Sequence, residues 1–499
     1  MNKKLPGLLV ILTGLMIVTS CQSSLTSSEP SEVNYSFSTP DVSIDPAWPT
    51  TPVNEVTRLD FYSLNDFHGA LEYNAASGEI GINRLATYFN LKQEANPDGT
   101  IILAAGDFFQ GSADSNITRG RLMVDAMNLI GFDAMTIGNH EFDWGVEVIE
   151  SNAERANFPL LSANIFEKQT GQLADFAIPY TMIDRAGVRI GIIGTIGSTL
   201  ESSILTSNVI DYDFIPIGPI VEASATYLRS MGAKAIVLLN HDADVTSDVA
   251  SYVDVVFNAH SHDTYKRLVS GTPVLQAAYN GKAVAHVQFE YTYATDELSL
   301  VTYENDTSLI NQELGEDEAM AALYQQYLDE EINVIKNEVL GTASDYFSKA
   351  KLGDLAVKEM LSFGSTLGAQ VAFHNTGGVR NTISQGTVTY GDIYKVFPFD
   401  NELMIVEVTG VQLKWWLNQG NYVAGANDFT MTLDGGVAIK DSQVYKIIAI
   451  NYLTEKFLSD ESQYPHNPAT AINTFEYVRE LIKDKWQDVG TLDPADYIG

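Results

Sequence analysis

The stretch from Ala134 to Asp143, AMTIGNHEFD, constrains this chain more than any other. An apolar run that reads as a buried strand stops at Gly138 and delivers Asn139, His140, Glu141 and Asp143 into one loop. A carboxamide beside an imidazole, with a carboxylate three residues after the imidazole, places a neutral oxygen ligand next to a His whose other ring nitrogen an acid can hold. That combination belongs to metal and acid/base sites rather than to packing. Its weight depends on whether other strand ends supply partners.

The same pattern recurs. From Val56, VTRLDFYSLNDFHG reads as a strand ended by Asn65-Asp66-Phe67-His68-Gly69. Asp66 and His68 are two apart and can point the same way from an extended backbone, a spacing that suits two ligands of one metal. Ile101 to Ala105 is a short continuous apolar run, as expected of a strand buried on both faces, and ends in Gly106-Asp107. Apolar residues at 122, 123, 126, 127 and 130 follow helical spacing, closed by Gly131. Ala235 to Leu239 runs into Asn240-His241-Asp242, and Val253 to Phe257 into Asn258-Ala259-His260-Ser261-His262.

Taken singly, an Asp after a strand is more often a helix cap, and a His is more often a hydrogen-bonded structural residue. Five apolar runs that end in His, Asp or Asn, and hold five of the eight His of the chain, reverse that weighting. Four His, two Asp and one Asn offer mixed nitrogen and oxygen donors without thiolate. This set suits Zn, Mn, Fe, Co or Ni better than the pure oxygen sites of Ca or Mg. Two such ions about 3.5 to 4 Å apart need a bridging carboxylate and suit phosphate ester hydrolysis by in-line attack.

A length of 499 residues exceeds what one core sustains, so two domains are expected. The balance of 29 basic against 64 acidic residues gives a formal charge of -35, which opposes general nucleic-acid binding. A phosphate-bearing substrate must then be held by metals or by a few local Lys and Arg. Lys3 and Lys4 precede a mostly apolar stretch from Leu5 to Val18, and Val18-Thr19-Ser20-Cys21 has the form of a lipobox. Residues 1–21 therefore read as a lipoprotein signal peptide with Cys21 as the acylated first mature residue. A plain secretory signal with an incidental Cys is the alternative. Residues 22–55, rich in Ser, Thr and Pro, read as a flexible tether.

After Gly315 the apolar spacing predicts a helix through Leu340 with Gly341 as its cap, either a link between domains or a packed core helix. In the second half, His374-Asn375-Thr376-Gly377-Gly378-Val379-Arg380 pairs glycines, which permit close backbone approach, with a guanidinium suited to a phosphate. By itself this segment would read as a glycine turn with a surface Arg.

DFHG, GDFFQGS, GNHEFD, the later His and the HSH pair, in this order and spacing, resemble the calcineurin-like metallophosphoesterase core. From about Val56 onward the whole chain resembles the extracellular 5'-nucleotidase family, which also contains UDP-sugar hydrolases and 2',3'-cyclic-nucleotide phosphodiesterases. The resemblance implies an α/β chain with a four-layer αββα metallophosphoesterase domain at 56–312, a linking helix at 313–341 and a smaller α/β substrate domain at 342–499. It implies two divalent metal ions: one held by Asp66, His68 and His262, the other by Asn139, His241 and His260, with Asp107 bridging. His140 and Asp143 match the catalytic pair. Three residues apart on a helical first turn, they share a face, so Asp143 can orient the imidazole or, alternatively, cap the turn.

Asn375 and Arg380 match substrate-binding positions, and Phe399 in PFDN and Tyr452 in AINYL match two aromatics between which a nucleobase stacks. The family's Gly-Gly-Asp-Gly after the second aromatic is replaced by Lys456-Phe457-Leu458-Ser459, which removes an acid from the nucleoside clamp. KAKLGD at 349–354 departs from an Arg-containing segment of some members, and Ala259 replaces a common Gly. The expected activity is 5'-nucleotidase, with cyclic-nucleotide or UDP-sugar hydrolysis as the enzymatic alternative and a non-catalytic solute-binding lipoprotein as the alternative of another class. The expected partners are a nucleotide substrate and, through Cys21, the membrane, with no nucleic acid and no protein partner.

Overall fold

The computed structural model describes residues 9–11, 35–38, 55–460, 462–464 and 471–497. Cys21 and most of the 1–55 region lie outside the described residues. The rest divides into two compact units, the first formed by residues up to Phe109, Met123–Ser203 and Val209–Ala321. The second is formed by Gln110–Leu122, Ile204–Asn208 and the chain from Ala322.

Two six-stranded sheets build the first unit. In one, Val56–Leu64, Thr100–Ala104, Ala134–Thr136 and Leu160–Leu161 run parallel in that order. Val284–Thr292 and Glu297–Asp306 extend its other edge antiparallel. In the second sheet, Val188–Ile196, Ala235–His241, Val255–Asn258 and Thr272–Ala277 are parallel neighbours. Continuous apolar runs are what this burial demands: Thr100–Ala104 and Ala235–His241 are buried at every position.

Phe61, Ile101, Leu103 and Ala134 of one sheet face Ile190, Val237, Leu239 and Phe257 of the other in one core. Behind the second sheet, Ile220, Val221 and Leu228 of the helix Gly218–Ser230 pack on Ile193, Ile236 and Leu238. Behind the first, Tyr88 and Phe89 of the helix Ile82–Ala95 meet the Tyr62 ring at 6.5 and 6.2 Å. The layers are helix, sheet, sheet, helix, as expected. Parallel strands bring their carboxyl ends, and the loops that follow them, to one edge.

The second unit centres on a five-stranded sheet ordered Tyr422–Ala424, Val371–His374, Val444–Ile450, Glu402–Thr409 and Ala471–Tyr477. Its core includes Leu355, Phe373, Trp416, Ile447, Ile482 and Trp486. Among the described residues no helix is long and apolar enough to cross a membrane.

Two expectations need correction. The helix placed at 313–341 begins at Glu318, passes through a π-helical turn at Leu328–Ile332 and ends at Lys336. Val339–Ala343 is instead a strand, paired with Gly386–Thr389 and Thr491–Leu492, partners that local periodicity cannot reveal. Gly341 is no helix cap: a Cβ there would stand 2.5 Å from the Gly490 carbonyl, so it permits the strand's close approach. Within the tether assigned to 22–55, Phe37 is fully buried in the first unit's core, and Tyr35 donates to Asp213 at 2.7 Å. These two aromatics seat the described residues 35–38 on that core.

Candidate functional site

The seven proposed ligands follow or end strands where the backbone turns sharply. Asp66, His68, Asp107, His260 and His262 have φ of 50°, 50°, 55°, 70° and 60°, a left-handed conformation that costs a non-glycine residue about 1 to 3 kcal/mol. The extended backbone expected of Asp66 and His68 is therefore not what aligns them. Two left-handed residues flanking buried Phe67 do so instead.

Two donor clusters result, with atoms in each within 4.8 Å of one another: Asp66, His68 and His262, and Asp107, His241 and His260. His68 Nε2 lies 3.1 Å from His262 Nε2, which is 3.6 Å from Asp66 Oδ1. Asn139 Oδ1 lies 3.1 Å from His241 Nε2 and 3.0 Å from His260 Nδ1, and Asp107 Oδ2 lies 3.2 Å from His241 Nε2.

The His241 ring tests whether cations fit. Its Nδ1 donates to the Ala105 carbonyl at 2.8 Å, which fixes the proton there. In its neutral form the ring turns its Nε2 lone pair toward Asn139 Oδ1 and Asp107 Oδ2, both acceptors as well. Acceptors converge in this way only around positive charge, supplied by protons or by a metal ion. Burial would lower His241, yet Asp107 and Asp66 outweigh it and push it up to about 10. Burial, reinforced by Asp107, raises Asp66 against the pull of His241. Burial would also raise Asp107, but His241, His140 and His68 draw it well below the usual carboxylate range. Asp107 thus feels rings of both clusters. A divalent ion in each cluster would supply that charge in place of protons, so the residues present fit two ions.

The supports are backbone and carboxamide groups. Asn65 Nδ2 donates to Asp66 Oδ2 at 2.7 Å, and the His260 N–H donates to the same oxygen at 3.0 Å. The Tyr279 ring stacks on His262 at 4.8 Å. A Cβ on Gly138 would stand 2.3 Å from Asp107 Oδ1, so only glycine lets these two loops meet.

Glu141, to which sequence reasoning assigned no role, is buried. Its carboxylate accepts the N–H groups of Asp107 and Gly138 at 2.8 Å each, of Phe108 at 2.9 Å and of Phe109 at 3.3 Å. It pins the Asp107 loop to the Gly138 turn. An acid set between His140 and buried Phe142 was the available signal.

His140 and Asp143 lie on one 3₁₀ turn, Asn139–Trp144, with Nδ1 and Oδ2 2.8 Å apart. The His140 N–H donates to Asp107 Oδ1 at 2.8 Å, and its ring meets His68 edge-on at 5.3 Å.

Three of the substrate candidates, Asn375, Phe399 and Tyr452, lie at the same end of the three interior strands of the second unit's sheet. Asn375 follows Val371–His374, and Tyr452 follows the parallel neighbour Val444–Ile450. Phe399 precedes Glu402–Thr409, whose Leu403 pairs with Ile450. The Arg380 guanidinium carbon is 5.2 Å from the Phe399 ring centroid. Lys456 Nζ is 5.6 Å from that of Tyr452. At Lys456–Ser459, which stands in place of Gly-Gly-Asp-Gly, the helix Asn451–Leu458 ends, with Phe457 packed on Trp415 and Trp416 at 4.9 and 4.6 Å.

Residues 60–264 match the calcineurin-like phosphoesterase family, and residues 331–435 match the 5'-nucleotidase C-terminal domain. Protein UshA of Yersinia enterocolitica is 27% identical over 489 residues, 81% of this chain and 86% of that protein. Endonuclease YhcR of Bacillus subtilis is 27% identical over 407 residues, 74% of this chain. The chain spans 33% of the length of YhcR and 63% of that of a second relative. The crystal structure of a 5'-nucleotidase precursor from Thermus thermophilus shares the fold, with a TM-score of 0.71 and 22% identity over 87% of this chain and 97% of that one.

Proposed function

We propose that this chain, which belongs to the 5'-nucleotidase family of metallophosphoesterases, is an exported enzyme, lipid-anchored through Cys21, that hydrolyses nucleoside monophosphates to nucleoside and phosphate. The reading rests above all on the two convergent donor clusters with the His140–Asp143 pair beside them. Asp66, His68 and His262 would hold one divalent ion, and Asn139, His241 and His260 the other, with Asp107 shared between them. When bound, the ions supply Lewis-acid charge and an activated water for in-line attack on phosphorus.

The protein's own groups do the rest. Asp143 holds the proton on His140 Nδ1, leaving Nε2 to present a second proton. From Nε2, His140 stabilises charge growing on the phosphoryl oxygens and protonates the leaving 5'-oxygen as its bond to phosphorus breaks. Glu141 keeps Asp107 and the Gly138 turn in register throughout. Arg380 and Asn375 would hold polar parts of the nucleotide, and Phe399 and Tyr452 would stack on its base. Lys456, not an acid, stands by Tyr452, so stacking carries the recognition and selectivity among bases is weak. The charge of -35 disfavours a polymeric nucleic acid as substrate.

Phe399→Ala tests the substrate. Aromatic stacking on a base is worth about 1 to 3 kcal/mol, so KM for AMP should rise about 5- to 150-fold, while hydrolysis of p-nitrophenyl phosphate should change little. Equal losses on both, or none on AMP, would replace the nucleotide by another phosphate ester.

A further inference from the structure

One buried cation in the second unit serves a single loop. Arg479, near the start of the helix Val478–Val489, has a side chain only 7% exposed. Its Nη1 donates to the carbonyls of Phe397 at 2.9 Å and Phe399 at 3.1 Å, and its Nη2 pairs with the Asp400 carboxylate. The guanidinium carbon sits 3.9 Å from the Tyr394 ring centroid. The intervening Pro398 carbonyl accepts from Asn116 Nδ2 at 2.7 Å. The neighbouring Val478 N–H donates to the Asn401 carbonyl at 3.2 Å.

Every carbonyl from Phe397 to Phe399 is therefore held, and Arg479 holds two of them. A planar fork reaches two carbonyls and a carboxylate at once, which a lysine ammonium on its flexible stem cannot reproduce. The Arg380 N–H donates to the Val396 carbonyl at 2.8 Å, so the segment that leads into the anchored turn also holds the loop from which Arg380 meets Phe399. With Asp400 itself exposed, this ion pair is weak evidence for stability as such, and is better explained where the buried guanidinium fixes a geometry. The geometry fixed here is that of the loop carrying Phe399.

We propose that Arg479 is a positioning residue for nucleobase recognition: it locks the Phe397–Asp400 turn so that the Phe399 ring is pre-set for stacking. This rests on the reading that Phe399 contacts the base. Arg479 itself touches no substrate, and an aromatic set in place before binding loses less freedom when the base arrives.

The test uses full-length protein carrying Arg479→Met, which keeps the stem and removes the fork, and Arg479→Lys, which keeps the charge. Hydrogen exchange at the Phe397 and Val478 amides should quicken by about tenfold or more in Arg479→Met, while amides of Val444–Ile450 stay protected. KM for AMP should rise about 5- to 30-fold, within the range set by stacking, with kcat for AMP and all p-nitrophenyl phosphate kinetics unchanged. Arg479→Lys should fall between, and it carries the test if the Met variant lacks a cooperative melt. In the Phe399→Ala background Arg479→Met should add no further loss, because both act through one ring.

Unchanged exchange overturns the proposal, and so does a full additional KM loss in the double variant. If exchange quickens but KM for AMP holds, the Phe399→Ala result separates the causes. A raised KM there rejects Arg479 alone, whereas an unchanged one rejects the nucleobase reading with it.

Discussion

Asp107→Asn is expected to lower AMP turnover by on the order of 10³-fold or more, about 4 kcal/mol at 1.4 kcal/mol per tenfold, and to leave fewer than two ions bound per chain. The fold should survive, since an amide oxygen can still accept the His140 N–H that Asp107 Oδ1 accepts now. What changes is the other oxygen. An amide nitrogen there would turn N–H groups toward His241 Nε2, at the point where the donors converge, and the charge that both clusters feel would be gone. Loss of a terminal ligand such as His262, which is partly exposed, should cost less. Metal analysis of the purified variant beside its AMP kinetics checks this. Two retained ions with near-normal turnover would remove Asp107 from the shared position.

His140→Gln should separate chemistry from coordination. Turnover is expected to fall by roughly 10² or more, the usual contribution of a placed acid or base, while metal content stays near two per chain. The group that His140 gives to the cluster is its backbone N–H, and glutamine keeps it. Asp143→Asn should show a smaller loss of the same kind, because it orients the ring through Nδ1. If occupancy fell in step with activity, His140 would be a ligand.

Much of this site is visible in the sequence because buried parallel strands must be apolar and their ends must not be. The runs before Asp107, Asn139, His241 and His260 announce both facts at once, and Gly138 marks the place where backbone and carboxylate touch. What stays hidden depends on partners distant in sequence. Val339 and Leu340 continue a helical spacing, but Val339 pairs with Thr389 and Leu340 sits at a bulge in the same strand pair. Glu141 looks like one more acid until its four amide donors are located. Left-handed Asp66 and His68 carry only a weak local signature: aspartate and histidine enter that region more readily than most residues, but no sequence pattern marks which of them do. Arg479 is invisible for the same reason, lying about eighty residues beyond the loop it anchors.

Phosphate release from AMP by metal-stripped protein, followed as a divalent ion is titrated back, bears most directly on a two-ion hydrolase. After exhaustive chelation turnover should be absent, and it should return in step with binding and level off near two ions per chain, one for each donor cluster. Full AMP hydrolysis by the stripped protein, or full recovery with the ions bound elsewhere than at Asp66, His68, Asp107, Asn139, His241, His260 and His262, would contradict it.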